Sequence, residues 1–323
     1  MTDQRPPYFC QPHDLDEFSR DLLTAAISVA QRIDSLPQKV EALTSIAGIY
    51  SCTLEPKEQA SELLTQATTT AKSISDPILR ATTLANIVGN YQAREDSKTI
   101  INDILAEALS LVTAIKEPSP EKDEALRQIA FRYALEKQKA QAMKAVDQLS
   151  DPFDRKFTGQ STLDTITRTQ AEEGQHNEAL QSIQSATFNP FVGYPLPSEA
   201  LEQNNAFEKL QQLMDLARRY RDDYGQLERV DAVIEQALQT VNSIKDPSFK
   251  LSLQLSLAQS LQELERTEKA SELFSQALKI LQMNPKIEGS SRRYVLTIAE
   301  GFAEAGQVDR AVQLVQSVPN TPN

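Results

Sequence analysis

The chain has 323 residues, with 33 basic against 45 acidic side chains and a formal net charge of −12. That balance repels phosphate backbones and speaks against a general nucleic-acid role, and no stretch approaches the roughly 18 apolar residues of a membrane span. With 40% hydrophobic residues, only 9 glycines and no tryptophan, the composition favours helix over sheet.

Residues 1–13 form an expected flexible arm without the basic start, apolar run or cleavage site of a signal peptide, so a cytoplasmic location is expected. Residues 14–33 follow as a capping helix that contains LLTAAISVAQRI at 22–33. Similar segments recur as LLTQATTTAKSI at 63–74, ILAEALSLVTAI at 104–115 and VIEQALQTVNSI at 233–244. The first two offsets are 41 residues and the last is 129, room for three more units. Ser75-Asp76-Pro77, Ser150-Asp151-Pro152 and Lys245-Asp246-Pro247 each stop one helix and open another. Aspartate caps a helix N-terminus, and proline suits the first turn but not the interior. Breaks are therefore predicted near Pro37, Pro77, Pro118, Pro152, Pro247 and Pro285. One continuous array over 34–318 is expected, with an irregular loop at 187–200 and a tail at 319–323.

Alignment on those stops reveals a second pattern. The first helix of each unit carries Ile46-Ala47-Tyr50, Ile87-Val88-Tyr91, Ile129-Ala130-Tyr133, Ile166-Thr167-Gln170, Leu216-Ala217-Tyr220, Leu257-Ala258-Leu261 or Ile298-Ala299-Phe302. The second helix answers with Ala60, Ile101, Ala142, Ala179, Val230, Ala270 or Ala311. Positions i, i+3, i+4 and i+7 share one helix face, and small residues allow a close crossing. One pair cannot cover its own stripe, so pairs must stack.

At these positions the chain resembles the tetratricopeptide-repeat (TPR) family. The match runs through Leu257, Ala258, Leu261, Ala270, Phe274 and Ala277, with the inter-helix glycine at Gly174 and Gly306. The resemblance implies an all-α, right-handed α-solenoid of about seven TPR-like helix-turn-helix repeats. The sequence departs from the family in lacking the bulky Trp, in placing Ala where Gly follows Leu, and in periods near 41.

No constellation for catalysis, cofactor or metal emerges. The only histidines, His13 and His176, lie outside any zinc motif and are expected to be solvated. Cys10 and Cys52 are too few for a disulfide framework, and reduced thiols are expected. Gly301 to Gly306 mimics phosphate-loop spacing but carries Gln307 where lysine is required. In the TPR family the first helices line the concave groove where partners dock. By that resemblance the groove positions here include Arg127, Phe131, Arg168, Arg218 and Arg221, and arginine's planar fork suits an acidic peptide. The alternative is that these arginines pair with Asp164, Glu172, Asp222 and Asp223. Phe188, Phe191 and Tyr194, in the loop TFNPFVGYPLP, are either a second contact or a cover for the ridge. The expectation is a non-enzymatic scaffold or assembly factor for another protein or peptide. The alternatives are a regulatory peptide-sensing TPR protein and, last, a helical-repeat RNA binder.

Overall fold

A computed structural model describes residues 17–51, 57–91, 97–187, 197–284 and 291–317. Every regular element among them is helical. The first half holds α1 (Glu17–Gln31), α2 (Leu36–Ser51), α3 (Lys57–Lys72), α4 (Pro77–Tyr91), α5 (Lys98–Thr113), α6 (Pro120–Leu135), α7 (Lys139–Val146) and α8 (Pro152–Glu172). The second holds α9 (His176–Gln184), α10 (Ser198–Asp222), α11 (Leu227–Ser243), α12 (Pro247–Glu263), α13 (Thr267–Met283), α14 (Ser291–Glu304) and α15 (Val308–Gln316). The chain divides within α8 into two compact units, Met1–Thr165 and Ile166–Asn323.

Helix starts follow the Asp-Pro and Ser-Pro signals. Asp76 Oδ1 accepts from the Leu79 amide at 2.7 Å, Asp246 Oδ1 from Phe249 at 2.6 Å, and Ser119 Oγ from Lys122 at 3.2 Å. Asp151 Oδ1 takes the amides of both Phe153 and Asp154. These bonds satisfy N-terminal donors that the helix leaves orphaned. The first turn then adds a device that the proline spacing does not announce. A basic side chain there reaches back to a carbonyl at the end of the preceding helix. Arg80 Nε donates to Ile74 O at 2.6 Å, Arg155 Nη1 to Leu149 O at 2.6 Å, Lys122 Nζ to Ile115 O at 2.5 Å and Lys250 Nζ to Asn242 O at 3.2 Å. A cation at a helix C-terminus also opposes the helix dipole, so each boundary is stitched twice.

Within pairs the turn is a left-handed C-cap. Lys137 (φ 56°), Gly174 (76°), Gly225 (62°), Glu265 (60°) and Gly306 (75°) occupy it in five successive pairs. The next amide closes four of these turns by donating five residues back, to the carbonyls of Tyr133, Gln170, Leu261 and Phe302, whereas Gln226 donates six residues back to Tyr220. The five-residue closures are the Schellman pattern, and all five bonds fall on the repeat position held by Tyr133, Gln170, Tyr220, Leu261 and Phe302. The residue after the cap ties its pair to the previous second helix. Gln138 Nε2 reaches Asn102 Oδ1, Gln307 Nε2 reaches Ser271 Oγ at 2.7 Å, and Arg266 Nε reaches Asp231 Oδ1 at 3.1 Å.

The pairs α2/α3, α4/α5, α6/α7, α10/α11, α12/α13 and α14/α15 pack face to face. The Gly174 turn joins α8 to α9 as the remaining pair. Their stripes are sealed: Leu43, Ala47, Leu84, Leu126 and Ile129 in unit one, and Leu216, Ala217, Leu257, Ala258, Ala270 and Phe274 in unit two, expose 2% or less. In unit one α2 packs on α4 and α4 on α6; in unit two α10 packs on α12 and α12 on α14. Successive second helices make no contact of that extent among the described residues. The first helices are thus the more closely spaced row in each unit.

Candidate functional site

Three of the candidate arginines, Arg127, Arg218 and Arg221, bond from one first helix to the next. In unit one, Arg127 on α6 binds Glu124 Oε2 one turn earlier through Nη2 at 3.0 Å. Its Nη1 reaches Asp154 Oδ2 on α8 at 3.2 Å. The Glu124 carboxyl is held below its ordinary pKa, first by a hydrogen bond from Gln128 and then by Arg127. Phe131, one turn on from Arg127, leaves 44% of its surface exposed.

In unit two, Arg218 Nη1 binds Asp215 Oδ1 at 2.8 Å and its Nη2 binds Glu263 Oε2 at 2.9 Å, so α10 is bridged to α12. Arg221 Nε meets Asp222 Oδ1 at 2.6 Å, and its Nη1 donates to the Glu263 carbonyl. Asp222 and Arg221 shift each other's pKa in opposite senses, the acid down and the base up, led by their shared hydrogen bond. Asp215, Arg218, Arg219, Asp222 and Asp223 line a shallow depression of about 270 Å³. Arg168 on α8 differs: its Nε is enclosed and has no hydrogen-bond partner. Nearby Tyr224, whose hydroxyl donates to Glu172 Oε1 at 3.5 Å, has its pKa pushed up to about 12, mainly by burial.

Pairing is therefore the rule for three of the four arginines, but only Asp222 belongs to the four acids that sequence proximity suggested. The others reach Asp154 and Glu263, 27 and 45 residues away, through contacts between first helices. Exposed pairs of this kind contribute roughly 0–1 kcal/mol each, so an acidic ligand competes with weak bonds. Phe188, Phe191 and Tyr194 lie outside the described residues, as do His13, Cys10, Cys52 and the Pro285 break. His176 is not simply solvated: its Nδ1 lies 2.9 Å from the Tyr220 hydroxyl, in an edge-on ring contact with centroids 5.3 Å apart. Gly301 stands inside α14, which removes the phosphate-loop mimic. Arg132, which the repeat alignment does not single out, also projects along this row, with its guanidinium against Gly89 of α4. Its signal in the sequence is faint: glycines 48 and 89 sit two residues before Tyr50 and Tyr91 in successive first helices. Among the described residues no three metal-ligating side chains converge, and no helix is long and apolar enough to cross a membrane.

Paired helices with small residues at the crossing, left-handed caps and a close-spaced row of first helices define a TPR-like helical-repeat fold. No family model matches the sequence, and no curated protein matches it significantly. Among solved structures, Ton1535 from Thermococcus onnurineus NA1 is 15% identical with a TM-score of 0.41, over 94% of this chain and 86% of that one. A Rap protein complexed with competence and sporulation factor is 14% identical with a TM-score of 0.31, over 92% and 78%. Nearly identical TPR-like repeats from Podosopora anserina are 17% identical with a TM-score of 0.29, over 80% and 100%.

Proposed function

We propose that the protein is a non-enzymatic interaction scaffold or assembly factor that holds an acidic segment of a partner protein along its row of first helices. The observation that carries this reading is the row itself. In each unit this row of first helices carries arginine forks, next to an exposed aromatic in the first and an enclosed, unpartnered Arg168 Nε in the second. Arginine and large aromatics are the side chains that concentrate binding energy at protein interfaces. Carboxylates from a partner would replace Asp154, Asp215 or Glu263 on forks that are already oriented.

The test is the double variant Arg168→Glu/Arg218→Glu. A partner captured from the native host on the wild-type chain is titrated onto both proteins, at about 50 and about 300 mM salt, where screening lengths differ more than two-fold. Loss of binding in the variant with unchanged helicity, together with weakening of the wild-type complex by salt, supports the reading. Equal affinity of the two proteins sinks it.

A further inference from the structure

Half-buried arginines of unit one are compensated on every side but one. Arg80 and Arg155 donate to helix-terminal carbonyls, and Arg127 holds two carboxylates. Arg132, farther along the same helix as Arg127, has neither an ion pair nor a hydrogen bond to a described residue. Burial lowers its pKa, with no acidic neighbour among the described residues acting against the shift. Its seat is specific. A Cβ at Gly89 would stand 2.8 Å from Nη1, 3.3 Å from Cζ and 3.4 Å from Nη2. The fork therefore lies across the seam between α6 and α4, over the face of Gly89 that carries no Cβ. Beside it the exposed Phe131 ring centroid is 5.9 Å from Arg132 Cζ.

A partly desolvated cation without a counter-charge is costly, and a carboxylate arriving from outside would remove that cost. We infer that Arg132, seated on Gly89 and flanked by Phe131, anchors one carboxylate of an acidic, apolar-interspersed peptide segment. The guanidinium grips the carboxylate through two parallel N–H donors, and Phe131 covers the neighbouring apolar side chain. The inference rests on the reading that the first-helix row receives a partner, and it adds the residue that sets the partner's register. It also explains why a fork, and not an ammonium, occupies the niche: a planar group fits between two helices where a tetrahedral one would not.

The experiment uses the full chain labelled with ¹⁵N-arginine, and the probe is N-acetyl-Glu-Leu-Glu-Leu-amide with its Gln-Leu-Gln-Leu counterpart. The Arg132 Nε–Hε resonance, assigned by its loss in Arg132→Lys, should shift saturably with the glutamate probe and stay still with the glutamine one. Affinity should fall about ten-fold or more in Arg132→Lys, which keeps the charge without the fork, the size expected for a lost charge-assisted bond. Gly89→Ala, which keeps the charge but unseats the fork, should fall comparably, whereas Lys116→Gln should leave affinity unchanged. A resonance unmoved at saturation, wild-type affinity in both Arg132→Lys and Gly89→Ala, or equal binding of the glutamine probe would each overturn the anchor. The two readings fail separately. A captured partner that ignores Arg132→Lys but is lost from Arg168→Glu/Arg218→Glu removes the anchor alone; one that ignores both sets removes the first-helix row as well.

Discussion

Two glycines inside helices should respond oppositely to the same substitution. Gly301 in α14 faces the fully buried ring of Phe274, and an added Cβ would lie 2.2 Å from both Cε2 and Cζ and 2.6 Å from Cε1. Ordinary carbon contacts are 3.5–4.0 Å, so the ring or the helix must move by more than an ångström. Phe274 has little freedom to do so, being set edge-on against Phe302 with centroids 6.2 Å apart. Overpacking of this severity costs about 3 kcal/mol, and the helical preference of alanine over glycine returns about 1. Gly301→Ala should therefore lose about 2 kcal/mol, or about 4–8 °C of melting temperature for a unit of this size. At Gly159 in α8 the nearest atoms are Met143 Cε at 3.5 Å and Val146 Cγ1 at 3.6 Å, which is normal contact. Gly159→Ala should gain about 0.5–1 kcal/mol. Thermal and urea unfolding of both variants measures the contrast. A Gly301→Ala protein as stable as wild type would refute the packing argument. The argument also requires that Phe274→Leu, harmful alone, become less so in combination with Gly301→Ala, because the two changes share one space.

Three further outcomes follow from local geometry. Lys137 and Glu265 hold positive φ without being glycine, so Lys137→Gly and Glu265→Gly should each raise stability by about 1 kcal/mol, visible as a higher melting temperature. Arg80→Met should cost about 1 kcal/mol by orphaning the Ile74 carbonyl, and a matched loss of amide-exchange protection at the α3/α4 boundary would locate it. The pKa of His176 is lowered from 6.5, first by burial and then by Arg229. Its stabilisation is complete above about pH 6.5 and is lost as pH falls through the lower folded value, so His176→Gln should flatten the acid side of the stability profile.

The helix pairs were legible because proline and aspartate act locally, and because the crossing alanines recur at fixed spacing. Gly174 and Gly306 marked their turns for the same reason, but Lys137 and Glu265 adopt the same conformation without the residue that usually signals it. Gly301 reads in the sequence only as part of a phosphate-loop mimic; its need for glycine comes from Phe274, on the previous pair, and no local pattern carries that. The first-helix arginines are legible as residues of the repeat, yet their partners are not. Arg127 with Asp154 and Arg218 with Glu263 meet only once first helices pack side by side. The repeat alignment does not single out Arg132 because it ranks apolar and small positions, whereas what distinguishes this residue is the lack of a counter-charge among the described residues. The length of α10, 25 residues against 16 for α6, also has no counterpart in the repeat period.

The central claim is that a partner lies along the first helices and not the second. A photo-crosslinking residue placed at Phe131 or Gln259, on exposed first-helix positions, can be compared with the same residue at Asp103 or Glu272, on exposed second-helix positions. With the captured partner bound, the account predicts crosslinks from Phe131 and Gln259 that disappear in Arg168→Glu/Arg218→Glu, and none above background from Asp103 or Glu272. Crosslinks concentrated at Asp103 and Glu272 would contradict it.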